Sequence, residues 1–193
     1  HLLKGRIVDR LVYNKNDDAD EDAAAHEMHA SLSDTDFYKK QKRIALRNGD
    51  TGYDGFLDEG EMNRCCFADN FRSIHFVSDA DWDAAHPAGS SLDDIVTVML
   101  SSYAPFVQSG YDRNAPGLSQ WGAYTFYQRH ASELTEKEMA MIGWQGIGFY
   151  FDTAPDDPTQ VHTITVTLQT VDGETLSVTG RGTPPWGDYE PIG

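Results

Sequence analysis

Residues 162–178 carry the sequence HTITVTLQTVDGETLSV. In its first half, threonines alternate with a second set of residues: His162, Ile164, Val166 and Leu168. A period of two predicts a strand with one face in a core and the other in water. The pair Asp172 and Gly173 is typical of a tight hairpin turn, and Leu176 and Val178 continue the pattern beyond it. The segment therefore predicts an antiparallel hairpin.

Upstream of this hairpin, several other segments have the composition of short strands. Residues 74–77 and 147–152 show apolar alternation, and residues 95–100 form an apolar run short enough for a buried strand. Residues 3–13 are rich in branched side chains and predict an opening strand. The intervening segments rich in Asp, Gly, Pro and Ser predict loops: residues 79–93 and 107–119.

Helix signals are fewer. Thr135 followed by Glu138 forms a capping box, and Gly143 is a typical stop, so a short helix is predicted between them. Residues 37–47 fit either a helix or a strand, because periodicity does not separate the two.

Many short strands, little helix and no alternation of strand and helix favour a mainly β fold, specifically a β-sandwich. A length of 193 residues fits one domain spanning residues 1–193. Residues 14–63 do not fit the strand pattern, since they are polar, acidic and rich in glycine toward their end. We expect them to be an insert or long loop, irregular or helical.

Residues 71–180 resemble secreted lipoprotein domains of unknown function from gut bacteria of the Bacteroidetes type. Three pieces carry the resemblance: SIHFVSDADWD (73–83) with HPAGSSLDD (86–94), GIGFYFD (146–152) with PDDP (155–158), and HTITVTL (162–168) with DGETL (172–176). The resemblance implies an immunoglobulin-like β-sandwich, an export signal and a lipid-bearing cysteine upstream of His1. It implies no known activity, and residues 14–63 depart from it.

The chain is strongly acidic, with 15 Lys and Arg against 31 Asp and Glu and a formal net charge of −16. This balance excludes a general nucleic-acid binder and a protein held on anionic lipid by charge. Residues 1–47 are neutral, so the whole surplus lies in residues 48–193. Solubility explains most of the surplus, and ion binding is the alternative explanation for part of it.

Residues 50–61, DTGYDGFLDEGE, match the spacing of a calcium-binding EF-hand loop. The predicted calcium ligands are Asp50, Asp54, Phe56 through its carbonyl, Asp58 and Glu61. Gly55 would permit the sharp turn, but Gly52 stands where a side-chain oxygen is expected, and no paired second loop is visible. The alternative is an Asp- and Gly-rich turn without an ion.

Other titratable residues give weaker signals. His26 and His29 could bind a metal but lie in an acidic segment more typical of solvated chain. His162 lies on the apolar face of its strand, which favours a core or interface histidine over a ligand. Cys65 and Cys66 are adjacent, so they cannot join distant strands, and we expect reduced thiols with at least one buried.

Residues 121–144 contain aromatic side chains that could form a sugar- or protein-binding platform. The proposed ligand-binding residues are Trp121, Tyr124 and Tyr127, and Phe126 and Trp144 belong to the same set. Their burial in the core is the alternative. No nucleophile elbow or phosphate loop is present: Ser119 misses the glycine spacing that an elbow requires.

These features together predict a binding or adhesion domain that is secreted or anchored to the outer membrane, with a protein or glycan as its partner. No run of 18 apolar residues exists to span a membrane, and any anchor would be a lipid upstream of the chain. Two alternatives stay open. One is a hydrolase that uses carboxylates or a metal, and the other is a structural subunit that pairs through edge strands.

Overall fold

A computed structural model describes residues 6–7, 12–14, 43–50, 65–67 and 69–183. Its strands are β1 (Arg6–Ile7), β2 (Val12–Asn14), β3 (Cys65–Phe67), β4 (Phe71–Ser78), β5 (Val96–Ser102), β6 (Thr125–His130), β7 (Ile142–Phe151), β8 (His162–Thr170) and β9 (Thr175–Gly182). Its helices are α1 (43–48), α2 (Ala104–Gln108) and a 3-10 turn (Ala131–Glu133). The prediction of a mainly β fold is confirmed.

The strands form two antiparallel sheets. The larger sheet has the order β2-β3-β7-β5-β6, and β1 also pairs with β7. The smaller sheet has the order β4-β8-β9. Strands that are distant in sequence, such as β4 and β8, are therefore neighbours, which makes most contacts of the fold non-local.

The predicted hairpin is present as β8 and β9. Their register runs without a shift from the pair His162–Gly182 to the pair Gln169–Thr175. Burial alternates along β8, with its threonines at 163, 165 and 167 on the face turned away from the core. Gly173 has a φ of 89°, a conformation that glycine adopts without strain.

The core lies between the inner faces of the two sheets. Phe76 of β4 meets Phe149 of β7 edge to face, with ring centroids 4.8 Å apart. Trp82, which follows β4, stacks on Phe151 at 4.5 Å and is fully buried. These aromatic contacts join the smaller sheet to the larger one, and each side chain removes a large apolar area from water.

The helix predicted after Thr135 does not form. The capping-box hydrogen bonds are present, since Glu138 Oε2 accepts from the Thr135 backbone at 2.9 Å, yet the chain makes only a turn there. Met139 and Met141 are buried, and Ile142 already begins β7. The prediction was wrong because burial of these apolar side chains against the sheets outweighs the local preference for helix.

The N-terminal part is described only in short pieces. Strands β1 and β2 lie within the predicted opening strand and just beyond it. Residues 43–48 are helical, which decides between helix and strand for the described part of residues 37–47. Most of residues 14–63, the predicted insert, lies outside the described residues. Cys66 is buried at 3% exposure, as expected for at least one of the two cysteines.

Candidate functional site

Of the predicted calcium ligands, Asp50 lies in the described part of the chain. It is buried, and its Oδ1 accepts a hydrogen bond from the Tyr111 hydroxyl at 2.7 Å. Its backbone N–H donates to the carbonyl of Ala45 at 2.8 Å, so it closes the end of α1. Asp54, Phe56, Asp58 and Glu61 lie outside the described residues.

A search of the described ranges found no group of three or more His, Cys, Asp or Glu side chains placed to share a metal ion. Because four of the five predicted ligands fall outside those ranges, calcium binding stays a prediction.

The three aromatic residues predicted to bind a ligand differ in exposure. Trp121, in the turn before β6, is 82% exposed. Tyr124 is half-buried, and its ring meets that of Tyr103 at 6.2 Å. Tyr127 packs against the core from the inner face of β6. Phe126, its neighbour in the strand, points the other way and is 52% exposed.

The outer face of β5, β6 and β7 carries the more complete candidate site. Because side chains alternate along a strand, residues of β6 on the side opposite Tyr127 share this face with their cross-strand partners. We call it the aromatic–polar face, and its members are Phe126, Gln128 and His130 of β6, Thr97 and Met99 of β5, and Gly148 and Tyr150 of β7.

A side-chain hydrogen bond crosses the middle of the aromatic–polar face. The Gln128 amide donates to the Tyr150 hydroxyl at 2.8 Å and spans β5 from one neighbour strand to the other. Met99 lies between them, paired with both Gln128 and Gly148. A Cβ on Gly148 would lie in ordinary contact with the Met99 methyl, at 3.5 Å, so the Met99 side chain lies over β7.

One end of the face carries a hydrogen-bonded carboxylate. Thr97 Oγ1 donates to the Asp152 carboxylate and lies 2.9 Å from Oδ1 and 3.1 Å from Oδ2. His130 Nε2 lies 3.0 Å from the same Oδ2. The His130 side chain is 42% exposed. The carboxylate is therefore held in place by protein donors while its neighbourhood stays open to a ligand that donates hydrogen bonds.

A second histidine, His86, makes contacts within the loop between β4 and β5. His86 Nδ1 lies 2.8 Å from Asp83 and its Nε2 lies 3.2 Å from Asp94, so both ring nitrogens face carboxylates. Burial acts to lower the pKa of His86, but the hydrogen bonds and charges of Asp83 and Asp94 outweigh it and raise the pKa above 6.5.

The raised pKa of His86 predicts how its contribution depends on pH. The folded protein favours the protonated form of His86. Its contribution to the free energy of unfolding is therefore present below pH 6.5 and is lost as the pH rises through the folded-state pKa. We expect His86→Gln to lower the free energy of unfolding more at about pH 5.5 than at about pH 8.5. Urea denaturation at both values tests this, and an equal loss would contradict it.

A buried histidine–serine pair lies elsewhere in the smaller sheet. His162 is 1% exposed, its Nδ1 lies 2.8 Å from Ser78 Oγ, and its Nε2 has no hydrogen-bond partner among the described residues. Ser78 is itself only 2% exposed, so a substrate cannot reach its hydroxyl. The burial of His162 confirms that it lies in the core, as its place on the apolar face of the strand predicts.

Comparison of the chain with protein-family models, curated proteins and solved structures found no match. None of the helices in the described part has the length and apolarity needed to cross a bilayer.

Proposed function

We propose that this chain is an exported binding or adhesion domain that recognises a glycan on its aromatic–polar face. The observation that carries the proposal is the exposure of Phe126 on this face, at 52%. Trp121, five residues earlier in the chain, is 82% exposed and would be a second aromatic contact for the ligand. An exposed aromatic ring beside ordered polar groups is typical of a binding surface, whereas scattered apolar side chains need no such explanation.

The chemistry of the face matches a sugar better than an apolar ligand. A pyranose ring presents a C–H face that stacks on an aromatic ring and a rim of hydroxyls that needs donors and acceptors. Phe126 supplies such a ring, and the Gln128 amide and the Asp152 carboxylate supply polar groups already ordered by Tyr150 and Thr97. Ordered polar groups lower the entropic cost of binding.

The strand order supports an immunoglobulin-like form of the fold. In an immunoglobulin constant-type domain, strands A, B, E and D form one sheet and strands C, F and G the other. If β2, β3, β4, β5, β7, β8 and β9 take the letters A to G in chain order, the neighbours β2-β3-β7-β5 and β4-β8-β9 reproduce both sheets. On this labelling β6 is an additional edge strand, and it carries Phe126.

Export and lipid anchoring complete the proposal. They are supported by the resemblance of residues 71–180 to secreted lipoprotein domains. Calcium would stabilise residues 50–61, and the anchoring of Asp50 at the end of α1 and on Tyr111 supports an ordered start to that loop. The place of action would be the cell surface or periplasm.

Catalysis by carboxylates is the less favoured alternative. A general acid needs a raised pKa, but the pKa is lowered at each described carboxyl group with a clear shift, namely Asp79, Asp83 and Asp157. For Asp79 the main cause is the hydrogen bond from the Thr163 backbone, and for Asp157 it is that from the Thr159 hydroxyl. At Asp83, burial opposes the shift and hydrogen bonds from His86 outweigh it. These groups serve as caps and loop contacts.

Glycan binding can be tested by affinity electrophoresis through a panel of soluble polysaccharides, followed by calorimetry with an oligosaccharide of the retained polymer. We expect Phe126→Ala and Trp121→Ala each to weaken binding by about tenfold or more, or ~1.4 kcal/mol. The matched control is Val161→Ala, which truncates another exposed apolar side chain, 46% exposed, away from the face.

Two results would contradict the proposal. One is that no polysaccharide in the panel retards the protein. The other is that a polysaccharide binds equally well to both aromatic variants and to the Val161→Ala control, which would place the site elsewhere.

A further inference from the structure

The two edges of the smaller sheet differ in whether another part of the described chain pairs with them. The outer edge of β4 is closed by the loop after it: Leu92 donates to the Phe76 carbonyl at 2.9 Å, Gly89 donates to the Ser78 carbonyl at 2.8 Å, and Val77 bridges Ser91. Strand β9, at the other edge, pairs with β8 alone among the described residues. Its outward backbone groups therefore have no strand partner in the part of the chain that the structure describes.

Strand β9 also lacks the features by which proteins protect such an edge. Edge strands are usually short, bulged, or marked with Pro or Lys, because a regular open edge invites another strand. β9 is 8 residues long and its register with β8 has no shift. It contains no Pro and no Lys, and its single charged residue, Arg181, lies next to its end.

An apolar side chain lies exposed on this open edge. Val178 is paired with buried Val166 and so belongs to the core-facing side of the sheet, yet it is 49% exposed. No described strand lies beyond β9 to cover it, whereas the corresponding residues of β8 lie between two strands. A further strand alongside β9 would cover Val178 and satisfy the outward backbone groups.

We propose that β9 pairs antiparallel with β9 of a second copy of this chain, about a two-fold axis at Val178. A two-fold axis perpendicular to the sheet keeps the core-facing sides together, so residues of equal parity stand opposite each other. Val178 then meets Val178 of the second copy. The other opposed pairs are Leu176 with Gly180, Ser177 with Thr179, and Thr175 with Arg181.

This register is self-complementary. The bulky Leu176 stands opposite Gly180, which has no side chain, so the apolar row fills without a clash. No like charges are opposed in the paired strands, although like charges directly opposite would be destabilising. The nearby Asp172 is paired with Arg47 at 3.5 Å, which partly offsets its charge beside the interface. The pairing would extend the three-stranded sheet into a six-stranded one through the dimer.

The net charge sets how this dimer responds to salt. Two copies with a formal charge of −16 each repel one another over distances that salt screens. The Debye length falls from about 30 Å at 0.01 M to about 8 Å at 0.15 M ionic strength. The dimer is therefore expected to tighten as salt is added, the reverse of an interface held by opposite charges.

Sedimentation equilibrium from micromolar to millimolar protein, at low and at moderate salt, tests the proposal. Wild type is expected to dimerise, and Val178→Lys is expected to weaken dimerisation by about tenfold or more, since it places two like charges together at the axis. Val161→Lys is the matched control, because it adds the same charge at another exposed valine outside β9.

Several outcomes would overturn the proposal: a wild type that stays monomeric at millimolar concentration, a dimer unaffected by Val178→Lys, or an equal effect of Val161→Lys. A monomeric wild type would leave the β9 edge to a strand from another protein.

If Val178→Lys fails to fold, hydrogen exchange of wild type at low and high concentration decides the question. Alternate β9 amides should gain protection only in the concentrated sample, and no gain in protection would overturn self-pairing.

Discussion

Replacing Trp82 with alanine is expected to lower the free energy of unfolding by about 3–5 kcal/mol, the usual cost of truncating a fully buried large aromatic side chain. Trp82 is 0% exposed and stacks on Phe151 at 4.5 Å. Its Nε1 donates to Thr153 Oγ1 at 3.3 Å. The indole therefore fills the space between the loop after β4 and the end of β7, and alanine would leave that space empty.

The backbone of Trp82 joins two loops of the fold. Its N–H donates to the His86 carbonyl at 2.9 Å, and its carbonyl accepts from Asp156 at 2.8 Å. The residue thus ties the β4–β5 loop to the β7–β8 loop as well as to the core. Loss of the indole would loosen both loops together.

Urea denaturation followed by circular dichroism measures this change. Trp82→Phe is the matched variant, because it keeps an aromatic ring against Phe151 while it removes the hydrogen bond to Thr153. We expect its loss to be clearly smaller than that of Trp82→Ala. Equal losses would mean that the hydrogen bond, and not packing, dominates, and a loss below about 1 kcal/mol for alanine would contradict the described core.

The parts of the fold that were predictable are those in which local pattern and tertiary role agree. In residues 162–178 the period of two, the Asp–Gly turn and the burial pattern all favour the same hairpin, so the prediction was correct. At Thr135 the local signal was also real, since the capping hydrogen bonds form. It did not predict the structure because Met139 and Ile142 are drawn into the core.

Strand β6 and the candidate site were harder to predict for a different reason. Tyr127 points inward and Phe126 outward, so aromatic side chains on both faces hide the alternation. Composition alone does not distinguish an exposed aromatic from a buried one. The contact of Asp152 with Thr97 joins residues 55 positions apart, and only the pairing of β5 with β7 brings them together.

The second large effect expected is a loss of stability in acid that is caused by His162. Burial lowers the pKa of His162 below 6.5, and the charges of Asp79 and Asp157 only partly oppose it. The unfolded chain therefore takes up a proton more readily than the fold does. The contribution of neutral His162 to the free energy of unfolding is fully present above pH 6.5. It declines as the pH falls through 6.5 toward the folded-state pKa.

The surroundings of His162 explain why its protonation is costly. Ser78 Oγ accepts a hydrogen bond from Ala80 N–H at 3.1 Å and lies 2.8 Å from His162 Nδ1, so the serine can give its own proton to the ring. With a second ring proton, His162 Nδ1 would have to donate to Ser78 Oγ instead of accepting from it. The second proton would also place a charge in the buried space beside Trp82, whose ring centroid lies 5.2 Å away.

The variant His162→Leu should remove this pH dependence, because leucine keeps an apolar side chain in the space and cannot titrate. Val166→Leu, on the same face of β8, controls for altered packing and should keep the wild-type dependence. The free energy of unfolding is compared at about pH 7.5 and about pH 5, and one proton changes it by at most about 1.4 kcal/mol per pH unit. If His162→Leu declines in acid as steeply as wild type, the acid sensitivity has another source. That result would fit the carboxylates with lowered pKa, among them Asp79 and Asp157, whose charges act on His162.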